Sequence, residues 1–491
     1  MNLNNLFPIQ ALGLNEIAAL MPLFILSFGA LFSLIAGTSK TKGHQLAFGI
    51  SFAALCLGIF QAVSFLFAED VSLLGGTLVL NPFTKTLGIM VQSFALLAVT
   101  LTYGQDKKEG LLAEIYALIL FATAGMILMM STNHLLFMFI ALEIMSLAIY
   151  VLVAMRRGSQ FSAEAGLKYF ILGGFASALF LYGSSLIFGS MGSFELTSIQ
   201  NQLSTHPNPS FIYYIGLGLV LVAMLFKVGA FPFQGWVPDV YQGAATNVTG
   251  FMGAAVKFTA FMAFAKIAQN TVFVVGVAGM TWFQNFIWLV SAASMIYGNF
   301  VAISQNELKR MLSFSTIAHT GYLLLGLYAM RVGDSVQPLV LYLFFYALSN
   351  LGAFAIISLF EDKNQKDLTL DQIAGMGLKH PVLGSLFTLF LLSMAGIPLT
   401  SGFIGKYGLF SSAVVAGEIP LVVIAVLTSV VSVYYYLRVI VYMFMKEATG
   451  EVATYHKLKG AAFAAFLSAY ATLQFGLFPK GIIQFVKMLS K

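Results

Sequence analysis

Six ionisable side chains stand in stretches otherwise built for lipid. Glu143 lies halfway along FMFIALEIMSLAIYVLVA, Lys227 within LVAMLFKVGAFPFQGWVPDV, Lys257 halfway along GFMGAAVKFTAFMAFAK and Lys406 within LLSMAGIPLTSGFIGKYGLF, while Lys168 and Arg438 lie closer to the ends of their stretches. A charge at the bilayer centre costs ~3 kcal/mol on insertion scales, so four near the middle cost on the order of 10 kcal/mol. Charges kept at that cost usually face a wet interior and mark ion or proton paths. Burial disfavours an ammonium and a facing carboxylate favours it again, so a Glu and a Lys at variable separation make a switchable proton site. Glu143 and Lys227 are the candidates for that pair; a static salt bridge is the alternative. Lys257 has no acid in its own stretch, which suits a relay, and its alternative is a lysine bonded to the carbonyls of a broken helix. Lys406 is surrounded by Gly396, Pro398, Gly402 and Gly405, which argue against a continuous helix and for freed carbonyls and water beside it. His319, midway along LKRMLSFSTIAHTGYLLLG, suits a relay because imidazole titrates near neutrality, or is a neutral ring bonded to a hydroxyl. Ser315, Thr316 and Tyr322 could extend a water-linked chain beside it. Lys168 either serves the site or snorkels to the surface, and snorkelling is the reading for Arg438.

The elements that must hold these groups are helices. The 491 residues are 59% hydrophobic and 9% charged, with a mean hydropathy of +0.89; a soluble domain carries roughly 25% charge. Stretches of ~20 apolar residues, each enough for a span, follow one another near 15–37, 44–68, 83–104, 110–130, 132–155, 163–190, 211–236, 241–268, 282–304, 309–330, 337–360, 381–411, 419–444 and 459–479. The expectation is an all-α membrane protein of about fourteen spans, with spans seven and twelve broken. The division of 269–282 between loop and helix is the least defined. Of the twenty Lys and Arg outside the spans, fourteen fall on one side and six on the other, so the first side is expected to be cytoplasmic and both termini periplasmic. The opening residues have no basic region before the first apolar stretch, so no cleaved leader is expected. The net charge of +6 is spread over short loops with no long basic run, so the partner expected is the lipid bilayer and not nucleic acid. A single cysteine, Cys56, cannot form an internal disulfide or hold an iron–sulfur cluster.

Span six, LKYFILGGFASALFLYGSSLIFG, is similar to span eleven, LYLFFYALSNLGAFAIIS, and each precedes a Gly/Pro-interrupted span with a lysine. An interval of five spans inverts the second copy, and inverted repeats with paired broken helices place ion sites near the midplane. The division expected is a three-helix segment over 1–109, a first repeat over 110–268, a second, inverted repeat over 269–445, and a C-terminal helix with a short tail over 446–491.

The motifs LEIMSLAIYVLVA, FKVGAFPFQGWVPDVY, ELKRMLSFSTIAHTGYLLLG and AGIPLTSGFIGKYGLF, in that order and spacing, resemble the antiporter-like subunits of NADH:quinone oxidoreductase (respiratory complex I), and most closely subunit N. The likeness covers most of 110–445. It implies inverted repeats of spans 4–8 and 9–13, a span-five glutamate paired with a span-seven lysine, a central span-eight lysine and a span-twelve lysine in the second half-channel, which fall on Glu143, Lys227, Lys257 and Lys406. Lys168 matches a lysine held to modulate the glutamate. Subunit N is favoured over L by the short tail, LFPKGIIQFV, and over M by lysine at position 406. The resemblance implies proton translocation in a bacterial inner membrane and membrane-arm neighbours such as subunits M and K. No cofactor is expected in this chain; NADH, FMN, iron–sulfur clusters and quinone belong to partner subunits. A subunit of a multi-subunit cation/proton antiporter is the alternative of the same fold. Two departures stand out. Gln234 occupies a position often held by His, and YQGAATNV replaces YEGAPTPV, which leaves the start of span eight without its usual prolines.

Overall fold

The structure, a computed structural model, describes residues 13–39, 41–104, 113–156, 158–277, 279–333, 336–361, 368–447 and 453–489. The loop cations Lys40, Lys107, Lys108, Arg157, Lys363, Lys366 and Lys491, which contribute to the charge bias, lie outside the described residues.

A helix lies on each of the fourteen apolar stretches. Among the described residues twelve helices are long and apolar enough to cross a bilayer, from Asn15–Gly37 to Lys459–Leu477. Span ten, Leu308–Gly333, is long enough at 26 residues, but Lys309, Arg310, His319 and Arg331 lower its hydropathy. Span twelve is two 15-residue helices, Pro381–Ala395 and Ser401–Val415, interrupted over 396–400. Span eight ends at Thr271 and span nine starts at Met280, which divides 269–282 into a helical end, a loop and a new start. A two-stranded antiparallel ribbon, Val71–Leu73 with Leu78–Leu80, fills the connection between spans two and three.

Isolated backbone bridges join Leu78 to Thr132, His134 to Glu195 and Glu307 to Thr369. Each links two connections separated by two spans, so these connections share a membrane face, as unbroken alternation of crossings demands. On that alternation spans seven and twelve run in opposite directions.

Spans eight (Thr246–Thr271) and eleven (Gln337–Phe360) are enclosed by the others, and span eleven is apolar over most of its circumference, as buried helices are. Spans one and two turn Phe28, Phe32 and Phe60 outward, where acyl chains are the solvent. Spans six and seven meet at Gly183 and Gly216, where a Cβ would stand 2.6 and 2.7 Å from the opposing carbonyl; only glycine permits this approach of two membrane helices.

The expected breaks are both present. Phe211–Val228 ends on Gly229 at φ 72°, and Pro381–Ala395 on Gly396 at φ 86°, the left-handed caps that glycine adopts without a Cβ penalty. The lysine precedes the break in span seven and follows it in span twelve. A third irregularity was not foreseen: residues Met252–Val256 form a π-helical turn ending directly before Lys257. Such turns recur at functional sites. Span eight starts without the usual prolines because Ala244 and Ala245 already hold extended backbone (ψ 156° and 143°) before Thr246 begins the helix.

Candidate functional site

Lys227 is the next-to-last residue of the first half of span seven and is 7% exposed. Its Nζ donates to Ser146 Oγ at 2.7 Å, and Ser146 in turn donates to Leu142 O at 2.5 Å. Ser146 stands one helical turn after Glu143 in span five (Leu135–Val153). The carboxylate Oε1 of Glu143 is buried without a hydrogen-bond partner, and among the described residues no ion pair joins it to Lys227. The expected acid and base thus flank a serine that the sequence reading did not single out.

Lys257, 4% exposed, donates to the backbone carbonyl of Thr316 in span ten at 2.6 Å. That acceptor belongs to another helix and not to a break in its own. Thr320 Oγ1 reaches the same carbonyl at 3.1 Å and Val228 O at 3.0 Å, so one hydroxyl bridges the neighbourhood of Lys227 to that of Lys257. His319 faces two phenols, with Nδ1 2.5 Å from Tyr342 Oη and Nε2 3.2 Å from Tyr436 Oη. A neutral ring donates from one nitrogen and accepts at the other, so this histidine can take a proton on one side and release one on the other. Thr316 Oγ1 bonds Tyr346 Oη at 2.8 Å, and Ser315 Oγ bonds Tyr436 Oη. Asn299 donates to Tyr322 Oη at 3.1 Å and accepts from Tyr435 Oη at 3.0 Å; Tyr322 reaches Thr428 Oγ1 at 3.4 Å.

Lys406, 5% exposed, donates to Ala395 O at 2.8 Å and to Ser429 Oγ at 2.9 Å. The first acceptor is a carbonyl freed at the break, as the Gly/Pro pattern implied. A cavity of about 610 Å³, lined by Lys406, Ser411, Ser429 and mostly apolar side chains of spans twelve and thirteen, opens beside it. Thr320 thus stands between the surroundings of Lys227 and Lys257, His319 stands between Tyr342 and Tyr436, and Lys406 meets Ser429. The helical spacing of Tyr342 and Tyr346 was the available signal, but tyrosines at that spacing usually belong to a core.

Lys168 lies apart from these groups. It sits at one membrane face in a cavity of about 760 Å³ between the repeats, lined also by Arg156, Glu164, Asp239, Glu307 and Arg310. Its Nζ is 2.7 Å from Glu164 and 3.0 Å from Asp239, which also pairs with Arg310 at 3.1 Å. Arg438 donates to the carbonyls of Ile303 and Gln305 and so caps the end of span nine. Gln234 is buried in the span-seven break with an unpartnered Oε1. Beneath the large cavity, Glu361 accepts from Arg156 at 3.1 Å, Lys309 at 3.2 Å and Thr246 at 2.5 Å. Burial alone would raise the Glu361 carboxyl, but the charges of Lys309 and Arg156 and the Thr246 hydroxyl outweigh it and hold it well below the usual carboxylate range.

Residues 132–432 match the family described as NADH:quinone oxidoreductase/Mrp antiporter, TM. The chain is 38% identical over 486 residues to NADH-quinone oxidoreductase subunit N of Trichlorobacter lovleyi, covering 98% of each chain. It is 36% identical to subunit N of Bdellovibrio bacteriovorus, covering 95% of this chain and 96% of that one. A chain of respiratory complex I from Thermus thermophilus superposes with a TM-score of 0.79 at 32% identity, over 94% of this chain and 99% of that chain. A chain of the Mrp complex from Dietzia shares the fold, with a TM-score of 0.84 at 20% identity over 97% of each.

Proposed function

The chain belongs to the subunit N family of NADH-quinone oxidoreductases, the antiporter-like proton-pumping membrane subunits, and on that premise we propose that its proton path is the buried line from Glu143 through Lys227, Lys257 and His319 to Lys406. As a member it is one subunit of a translocase enzyme complex, in which electron transfer from NADH to quinone drives proton movement. The relatives at 36–38% identity favour this over a cation/proton antiporter, because the likeness to the Mrp chain carries the fold alone.

The observation behind the path is that Lys227, Lys257 and Lys406, each less than a tenth exposed, are bonded to neutral oxygens, and that Thr320 meets both the carbonyl that Lys257 holds and that of Val228, the neighbour of Lys227. The two repeats, 110–268 and 269–445, supply one half of the path each. Electron transfer elsewhere in the complex changes the field at the Glu143 end, the Glu143–Lys227 pair closes or opens across Ser146, Lys227 passes its proton toward Lys257, and water with His319 and its tyrosines carries it to Lys406. Moving a charge against 100 mV costs ~2.3 kcal/mol. A two-unit change in a lysine's proton affinity supplies ~2.7 kcal/mol, so rearranging one pair is the right size of driving step. Lys168 acts on this machinery from the surface cavity.

Both ends of the line lie near the lateral surface: Glu143 is half-buried, and the cavity beside Lys406 opens between spans twelve and thirteen. This supports neighbouring subunits such as M and K as the groups that continue it. NADH, FMN, iron–sulfur clusters and quinone reside in partner subunits; one cysteine supplies no cluster ligand set. The charge bias supports a bacterial inner-membrane setting with both termini periplasmic.

The test is NADH-driven proton pumping in membrane vesicles containing Glu143→Ala or Lys227→Ala, with assembly checked by native electrophoresis. Strong loss of pumping in each is expected, with electron transfer reduced through coupling. Normal pumping by either assembled variant would remove that residue from the path.

A further inference from the structure

Lys227, Lys257 and Lys406 each lie over the face of a tyrosine from another helix. Lys227 Nζ is 5.8 Å from the ring centre of Tyr150 and 5.5 Å from that of Tyr169. Lys257 Nζ is 5.4 Å from Tyr346, and Lys406 Nζ is 5.1 Å from Tyr322. All lie within the ~6 Å at which the ring quadrupole attracts a cation. Their remaining partners are neutral oxygens: Ser146 Oγ, Thr316 O, and Ala395 O with Ser429 Oγ. Among the described residues no carboxylate is within ion-pair distance of any of the three, whereas Arg156 and Lys309, buried off the line, both pair with Glu361. Rings also face Arg310, Arg331 and Lys446 elsewhere in the chain, but Arg310 and Arg331 have carboxylate partners as well, whereas Lys257 and Lys406 have a ring and neutral oxygens.

The rings are held in place. Tyr169 stacks on Trp236 at 4.5 Å and meets Tyr150 edge-on at 4.8 Å. The hydroxyls of Tyr346 and Tyr322 bond Thr316 and Asn350, and Asn299 and Thr428, which fixes each ring plane independently of its lysine.

We propose that Tyr346 and Tyr322 are positioning residues whose ring faces stand in for counter-ions, favouring the ammonium of Lys257 and of Lys406 without placing a fixed negative charge beside it, while Tyr150 and Tyr169 share Lys227 with Glu143. This rests on the relay reading above. A carboxylate in the same place would attract the ammonium with a full charge in a low-dielectric interior and would trap the proton. A ring face attracts more weakly, so the lysine is stabilised while seated and released with little cost when it swings away. The titratable groups that face Lys406 are Tyr322 and His319 of span ten, with Tyr407 lining the same cavity, and none of the cavity's lining residues is a carboxylate.

The test uses the assembled complex in membrane vesicles. Position 322 is replaced by phenylalanine and by phenylalanines bearing one, two and three ring fluorines, which keep the ring's size while removing its negative face stepwise. Whatever rate Tyr322→Phe leaves, its alkaline limb of pumping against pH is the reference. Each fluorine is expected to move that limb to lower pH, by about one unit over the series, a tenfold change in proton concentration. The same series at position 346 should behave alike. A limb that stays fixed across the fluorines overturns the proposal, and so does a change complete in Tyr322→Phe, which would assign the effect to the hydroxyl. Lys406→Ala separates the two readings: if it pumps normally the relay fails, and if it is inactive while the fluorine series is flat, only the ring proposal fails.

Discussion

Ser146 and Thr320 have no charge to attract notice in a sequence, yet Ser146 bonds Lys227 and Thr320 meets the carbonyl that Lys257 holds. Ser146 Oγ takes a proton bond from Lys227 one turn from Glu143, so it lies where that pair must open and close. A hydrogen bond to a charged group contributes ~1.5–3 kcal/mol. Ser146→Ala is therefore expected to lower pumping about tenfold at normal assembly, with Ser146→Thr keeping most of it, as read by NADH-driven fluorescence quenching in vesicles. An unchanged rate in Ser146→Ala would mean that Lys227 does not use this acceptor during turnover. Thr320→Val should also slow pumping, since its hydroxyl bridges the carbonyls of Val228 and Thr316; Thr320→Ser should restore it.

At the scale of elements, the helix breaks set where each lysine points. Gly396 holds φ 86°, and a Cβ there would stand 2.7 Å from Lys406 Cδ. Gly396→Ala thus strains the backbone, at about 1–3 kcal/mol, and pushes the lysine off its seat. Loss of pumping with the complex still assembled is the expected result; full activity would show that the span-twelve break tolerates a side chain. Gly173 in span six has a similar part for the other lysine, because a Cβ there would lie 2.1 Å from Tyr150 Oη. Gly173→Ala should impair pumping, and adding Tyr150→Phe, which removes the clashing oxygen, should recover it in part. Arg438 caps span nine rather than entering the line, so Arg438→Ala should reduce the amount of assembled complex and not the rate per complex.

At the scale of the whole molecule, the two halves are tied by Glu361, which joins Arg156 and Thr246 of the first repeat to Lys309 of the second. Removing one partner of a buried ion pair costs roughly 3–5 kcal/mol because the other charge is left unpaired. Glu361→Gln should lower the thermal unfolding temperature of the complex at neutral pH. The carboxyl is held below its unfolded value, so its contribution is complete above the ordinary glutamate range near ~4.3 and is lost as pH falls through the folded value. The gap between wild type and Glu361→Gln should accordingly close under acid. A gap constant from pH 7 to acid would show that the carboxylate's charge is not what ties the halves.

Much of this was set by residue type and order. Stretches of about twenty residues, apolar nearly throughout, determined a helical membrane protein. Glycine and proline at 229, 232, 396 and 398 determined two breaks, because no neighbouring residue can undo a missing donor or supply the cap that glycine supplies. Charges at mid-span marked Glu143, Lys227, Lys257 and Lys406, since their desolvation cost is a property of the residue in lipid. What only the tertiary structure decided is which neutral groups meet those charges. Serines, threonines and tyrosines are cheap in a membrane helix on any face, so Ser146, Thr320, Tyr342 and Tyr346 carry no mark in one dimension. Their roles arise from helix rotation and from spans eighty and more residues apart in sequence coming into hydrogen-bond contact. The π turn before Lys257 is of the same kind: MGAAV has nothing irregular in it, and the packing of an enclosed helix against its neighbours gives it that form.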